Sequence, residues 1–84
     1  MSTYKRPVLL IVSKWPDGTM AMKFGAAMRR ALCSTDDDIC LVQMEPERIF
    51  RAETEVSEAE FRKALANSGT SCASRVLFIE ISQS

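Results

Sequence analysis

Histidine is absent from the 84 residues, so the groups left to do chemistry are carboxylates, thiols, amines and hydroxyls. The commonest general base, the commonest metal ligand and every histidine-based triad go with it. Asp36-Asp37-Asp38 is the first candidate, because hard divalent cations take carboxylate oxygens. Consecutive acids in an extended loop point in alternating directions, however, and a magnesium site draws its carboxylates from separate elements. Ser13-Lys14 pairs a hydroxyl with an amine, but no third group is in place to orient them. Gly18 enters a helix whose first N–H groups could hold an anion. A single glycine, without a Gly-rich loop or a following Lys-Ser/Thr, does not make a phosphate site.

Cys33, Cys40 and Cys72 are odd in number, irregularly spaced and free of any Cys-x-x-Cys pair. They read as reduced thiols serving as small hydrophobes. Cys72, in a Ser/Gly-rich loop, is the exception to watch as a reactive or bridging thiol. Met20, Met22, Met28 and Met44 stand at helix and strand spacing and read as core filler. Trp15 lies before Pro16 and outside the preceding strand. A tryptophan there must pack or bind something, which makes it an interface candidate. No catalytic, metal-ligating or cofactor-binding residue emerges, and no cofactor is expected.

The elements that must carry these residues follow from the hydrophobic pattern. Pro7–Ser13 is a short apolar, β-branched run and reads as a buried strand. Pro16-Asp17-Gly18 is a turn. Met20, Phe24, Ala27 or Met28, and Ala31 or Leu32 then recur at three and four residues, predicting an amphipathic helix to Cys33. Ile39–Met44 is the second strand, and Glu45-Pro46-Glu47-Arg48 a turn. Ile49–Thr54 is a third strand or, because Arg51, Ala52 and Glu53 are poor strand formers, a loop. Ser57 with Glu60 predicts a capping box, and Val56 with Phe61 a hydrophobic staple. Asn67-Ser68-Gly69 ends that helix, and Arg75–Ile81 is a final apolar strand.

Strand, helix, strand, strand, helix, strand is the α+β ferredoxin-like βαββαβ order, an antiparallel sheet with both helices on one face. Without the third strand, the alternative is a three-stranded parallel βαβαβ sheet with a long irregular connection. Residues 1–84 make one domain with a radius of gyration of roughly 12 Å. Hydrophobic residues at 46% and charged ones at 26% are globular values. The longest apolar run, Val8–Val12, is far short of the roughly 20 residues of a membrane span. The start of the chain has no signal-peptide core. A cytoplasmic protein that does not engage a membrane is expected.

Net charge is zero, yet the charges are parcelled along the chain. Asp36 to Glu60 holds nine acids, among them Glu45, Glu47 and Glu53, against Arg48 and Arg51, a balance of −7. The remainder carries +7. This is either a set of solvated faces or a dipolar module whose acidic half meets a basic partner surface. A nucleic-acid interface needs basic residues interleaved with stacking aromatics. Lys14, Trp15, Lys23, Arg29 and Arg30 are the only such set, and the zero net charge disfavours it.

The stretch from Gln43 to Leu65, with its hairpin and Glu-Val-Ser-Glu-Ala-Glu-Phe-Arg-Lys-Ala-Leu, then a loop and Arg-Val-Leu-Phe-Ile-Glu-Ile, resembles the small CRISPR-adaptation subunit. It also resembles that subunit's ferredoxin-fold toxin and antitoxin nuclease-like relatives. The likeness covers about half the chain. It implies a ferredoxin-fold homodimer, in some members a metal-dependent nuclease. That family places a metal-binding aspartate at the end of the first strand. Here the strand ends Val12-Ser13-Lys14 and the nearest acid is Asp17, so the resemblance implies a catalytically silent dimer.

The leading expectation is a small non-enzymatic interaction protein, homodimeric, regulating or inhibiting a larger, nucleic-acid-handling machine through protein contacts. Mobile-element and phage regulators have this profile. The first alternative is a metal-dependent ferredoxin-fold nuclease using Asp17 and one of Asp36 to Asp38. The second is a nucleic-acid-binding module built on Lys14, Trp15, Lys23, Arg29 and Arg30.

Overall fold

A computed structural model describes residues 5–69 and 75–81. Its elements are β1 (Arg6–Val12), α1 (Gly18–Leu32), a 3-10 turn (Asp36–Asp38), β2 (Ile39–Gln43), β3 (Arg48–Thr54), α2 (Glu58–Asn67) and β4 (Val76–Glu80). The four strands form one sheet in the order β2-β3-β1-β4, every pairing antiparallel. This is the ferredoxin-like arrangement, so the strand reading of residues 49–54 stands and the parallel alternative falls. The Cα radius of gyration is 12.3 Å.

Register sorts the side chains. Leu10 faces Phe50 on one side and Phe78 on the other, and Val8 faces Ala52. Residues directly opposite share a face, so β1, β3 and β4 present Val8, Leu10, Val12, Ala52, Val76 and Phe78 to the helices. These meet Phe24, Ala27, Met28, Ala31 and Leu32 of α1 and Phe61 and Leu65 of α2 in one buried core. The Phe61 and Phe78 rings stand 5.2 Å apart and tilted, a favourable aromatic geometry. Thr54, the one buried polar side chain among the described residues, donates its hydroxyl hydrogen to the Leu32 carbonyl and accepts from the Val56 N–H. It thereby ties the end of α1 to the start of the second crossover.

Local signals fix the helix ends. The capping box of α2 is complete: Ser57 Oγ accepts from the Glu60 N–H, and Glu60 Oε1 accepts from the Ser57 N–H at 3.2 Å. Val56 packs against the core just before it, as the staple requires. Gly69 follows with φ +85°, the left-handed conformation its type permits. α1 ends on Cys33 in the same region, φ 54°, with Arg29 and Arg30 in its last turn.

Three of the four methionines read as filler do not fill the core. Met28 is buried, whereas Met20, Met22 and Met44 are 45%, 77% and 56% exposed. Residues 18–20 are all exposed, so the first turn of α1 has no cover at position 20. Met22 lies off the buried stripe, and Met44 follows the end of β2. β2 is an edge strand with a register irregularity between Leu41 and Gln43, a β-bulge. Leu41 is accordingly 44% exposed.

Candidate functional site

Trp15 leaves the end of β1 and folds back toward the core. Its ring lies 5.3 Å from Phe24 and 5.6 Å from Phe50, tilted against both. The Arg48 guanidinium stands 4.5 Å from its centroid, within cation–π range. Helix α1 carries glycine beside the indole: a Cβ at Gly25 would sit 3.9 Å from the ring. The tryptophan is therefore half-buried packing at the corner of the sheet. It is not a free stacking platform.

This corner forms one end of a cleft of about 480 Å³ between α1 and the β2–β3 hairpin. Met28 and Leu32 line it from the helix, and Leu41, Met44 and Phe50 from the strands. Arg48 and Arg29 are its only charged lining residues among those described. Arg48 Nε is shielded from solvent and has no hydrogen-bond partner among the described residues.

The open face of the sheet is the second surface. Register places Leu9 and Ile11 of β1, Ile49, Arg51 and Glu53 of β3, Leu77 and Ile79 of β4, and Cys40 of β2 on the side away from the helices. Leu77 and Ile79 are 55% and 42% exposed, and Leu9, Ile11 and Ile49 are half-buried. No described element covers them. Arg51 and Glu53, both exposed, are neighbours on this face.

The acids of residues 36–60 do not gather into one patch. Glu45 and Glu47 occupy the β2–β3 turn, which carries a cis Glu45–Pro46 bond, at the Val12 end of β1. Glu45 lines a hollow there with Lys14, Trp15, Asp17 and Arg48. Asp37, Asp38 and Glu53 lie at the opposite end of the sheet around a hollow that Arg51 also lines. Lys5 forms an ion pair with Asp38. Its ammonium hydrogen bond holds the Asp38 carboxyl below the usual carboxylate range, and the same bond raises Lys5. The charge split along the sequence is thus partly undone in space. Arg6 of β1 likewise reaches Glu80 at 3.2 Å.

The remaining candidates are dispersed. Asp17 and the Asp36–Asp38 turn flank opposite ends of the 15-residue helix α1, about 22 Å apart along its axis. They do not converge on one cation, and among the described residues no three His, Cys, Asp or Glu side chains are grouped to hold a metal. Lys14, exposed with φ 56°, sits with Trp15 at the start of α1, while Arg29 and Arg30 are in its last turn. Lys23 is exposed between them. Cys33 and Cys40 are free thiols on the surface, not the small hydrophobes expected, and Cys72 lies outside the described residues.

Arg48, Leu77, Ile79 and Arg51 are the surface residues that sequence reasoning did not single out. The signal for the pair in β4 was present: Val76–Ile79 is apolar at every position, so a strand covered on one face must show the other half to solvent. No helix among the described residues is long and apolar enough to cross a membrane. No protein-family model, curated protein or solved structure matches the chain.

Proposed function

We propose that this protein is a non-enzymatic interaction module that works as a homodimer and regulates a larger assembly through protein contacts. The carrying observation is the open face of the sheet. Leu77, Ile79, Leu9, Ile11 and Ile49 make a continuous apolar surface beside Arg51 and Glu53. A surface with adjacent opposite charges is self-complementary under a twofold rotation, since Arg51 of one copy then meets Glu53 of the other. The apolar strip supplies the burial that such contacts need. The ferredoxin-like order and the resemblance at residues 43–65 support a dimer of this kind. Cytoplasmic residence and a nucleic-acid-handling target of mobile-element or phage type belong to the same proposal.

The dispersal of Asp17 and Asp36–Asp38 supports contact over turnover. Sedimentation equilibrium tests the reading. The expected result is a dimer that the double substitution Leu77→Glu with Ile79→Glu converts to a folded monomer. A wild-type monomer at about 100 μM, far above an ordinary dimer constant, overturns it. Magnesium-dependent cleavage of RNA or DNA that Asp17→Ala abolishes overturns the non-enzymatic part.

A further inference from the structure

We propose that the cleft between α1 and the β2–β3 hairpin binds a small aliphatic monocarboxylate, with the carboxylate on Arg48 and the tail against Leu41, Met44, Met28 and Phe50. The cleft holds about 480 Å³, within the range of small-molecule sites, and has their mix of apolar walls and few polar groups. Among the described residues its lining contains no carboxylate, and its charged side chains are arginines. Arg48 is the group left incomplete. Arg48 is half-buried, its planar guanidinium rests on Trp15, and its shielded Nε has no acceptor among the described residues. The paired N–H donors of a guanidinium match the two oxygens of a carboxylate. A neutral head group offers a weaker acceptor, and a cationic one is repelled.

The walls choose the tail. The Trp15 ring is already engaged by Phe24, Phe50 and Arg48, and the rest of the wall is mainly aliphatic and thioether side chains. Met28 and Met44, one from the helix and one from the hairpin, are unbranched and adapt their shape to a flexible chain. The inference is independent of the open sheet face on the other side of the molecule.

Trp15 is the only tryptophan in the chain and lines the cleft, so its emission reports occupancy directly. Sodium decanoate, titrated below its micelle concentration, is expected to shift that emission saturably with a Kd under about 1 mM. Decan-1-ol and decyltrimethylammonium are expected to bind at least about tenfold more weakly. Arg48→Met, which keeps the stem and removes the donors, should weaken decanoate by about tenfold or more and leave decanol unchanged. Met44→Glu, at a 56% exposed rim position that the fold does not depend on, should weaken decanoate equally with an unchanged circular dichroism spectrum. It decides the matter if Arg48→Met does not fold. No saturable shift up to about 1 mM, decanol as tight as decanoate, or undiminished binding by Met44→Glu overturns the proposal. So does a short peptide with a C-terminal leucine that binds where decanoate does not.

Discussion

Arg48 and Trp15 meet across the end of the sheet, guanidinium over indole at 4.5 Å, and this pair closes the corner where β1, β3 and the start of α1 come together. The indole does most of the holding. It touches Phe24 of the helix and Phe50 of the sheet at the same time. Replacing it leaves a void bordered by both rings, whereas replacing the arginine removes one cation–π contact at a partly exposed site. Trp15→Ala should lower unfolding free energy by about 3 kcal/mol, and Arg48→Met by about 1 kcal/mol or less. Urea unfolding followed by far-ultraviolet circular dichroism separates the two, and equal losses would contradict this ordering.

The capping box makes α2 sensitive to acid. Hydrogen bonds from the Ser57 backbone and hydroxyl hold the Glu60 carboxyl below its usual range, so the ionised form is favoured by folding. That contribution is complete above the unfolded-state value and disappears as pH falls through the folded one. Asp38, lowered chiefly by its hydrogen bond from Lys5, acts in the same direction. Stability should therefore decline from about pH 5 downward. At neutral pH Ser57→Ala should cost about 1 kcal/mol. Denaturant midpoints measured from about pH 6 to about pH 3 should show a shallower acid limb in Glu60→Gln than in the wild type.

Two glycines respond oppositely to alanine. Gly25 is inside α1, and an added methyl would meet only Trp15 at 3.9 Å, an ordinary contact. Gly25→Ala should stabilise the protein by about 0.5–1 kcal/mol, the helix-interior gain over glycine. Gly69, at φ +85°, has open space around it but a backbone that L residues resist. Gly69→Ala should cost about 1 kcal/mol or more. Thermal melting of the two variants checks the pair of signs.

On the open sheet face, Leu77 and Ile79 contribute nothing to the core, which uses their neighbours Val76 and Phe78. Ile79→Glu alone should change monomer stability by no more than about 0.5 kcal/mol. Phe78→Ala, one position away and with its ring against Phe61, should cost about 3–4 kcal/mol. Chemical denaturation at low protein concentration makes the comparison.

The course of the chain was legible where side chains signal to near neighbours. Ser57 with Glu60 announces the start of α2, and the change of period after Gly18 announces α1, because these signals act within a turn or two. The third strand was ambiguous for a physical reason. Arg51 and Glu53 are poor strand formers whose position is set by pairing with Leu9 and Pro7, more than forty residues earlier in the chain. Burial was the least legible property. Met20 and Met28 lie on similar stripes of one helix, but only the second has a sheet beneath it. The acids from Asp36 to Glu53 look like one block in the sequence, and an antiparallel hairpin sends them to both ends of the sheet. Arg48 gave no local sign of its place over Trp15, since that contact depends on the register of β1 against β3.

The two borders of the sheet are unequal. The outer rim of β2 is kinked where its register slips between Leu41 and Gln43, and an irregular rim is a poor template for another strand. The pairing of β4 to β1 shows no such slip. An endless stack of sheets needs both borders to pair, so the slip in β2 alone is enough to halt strand-by-strand growth into a fibre.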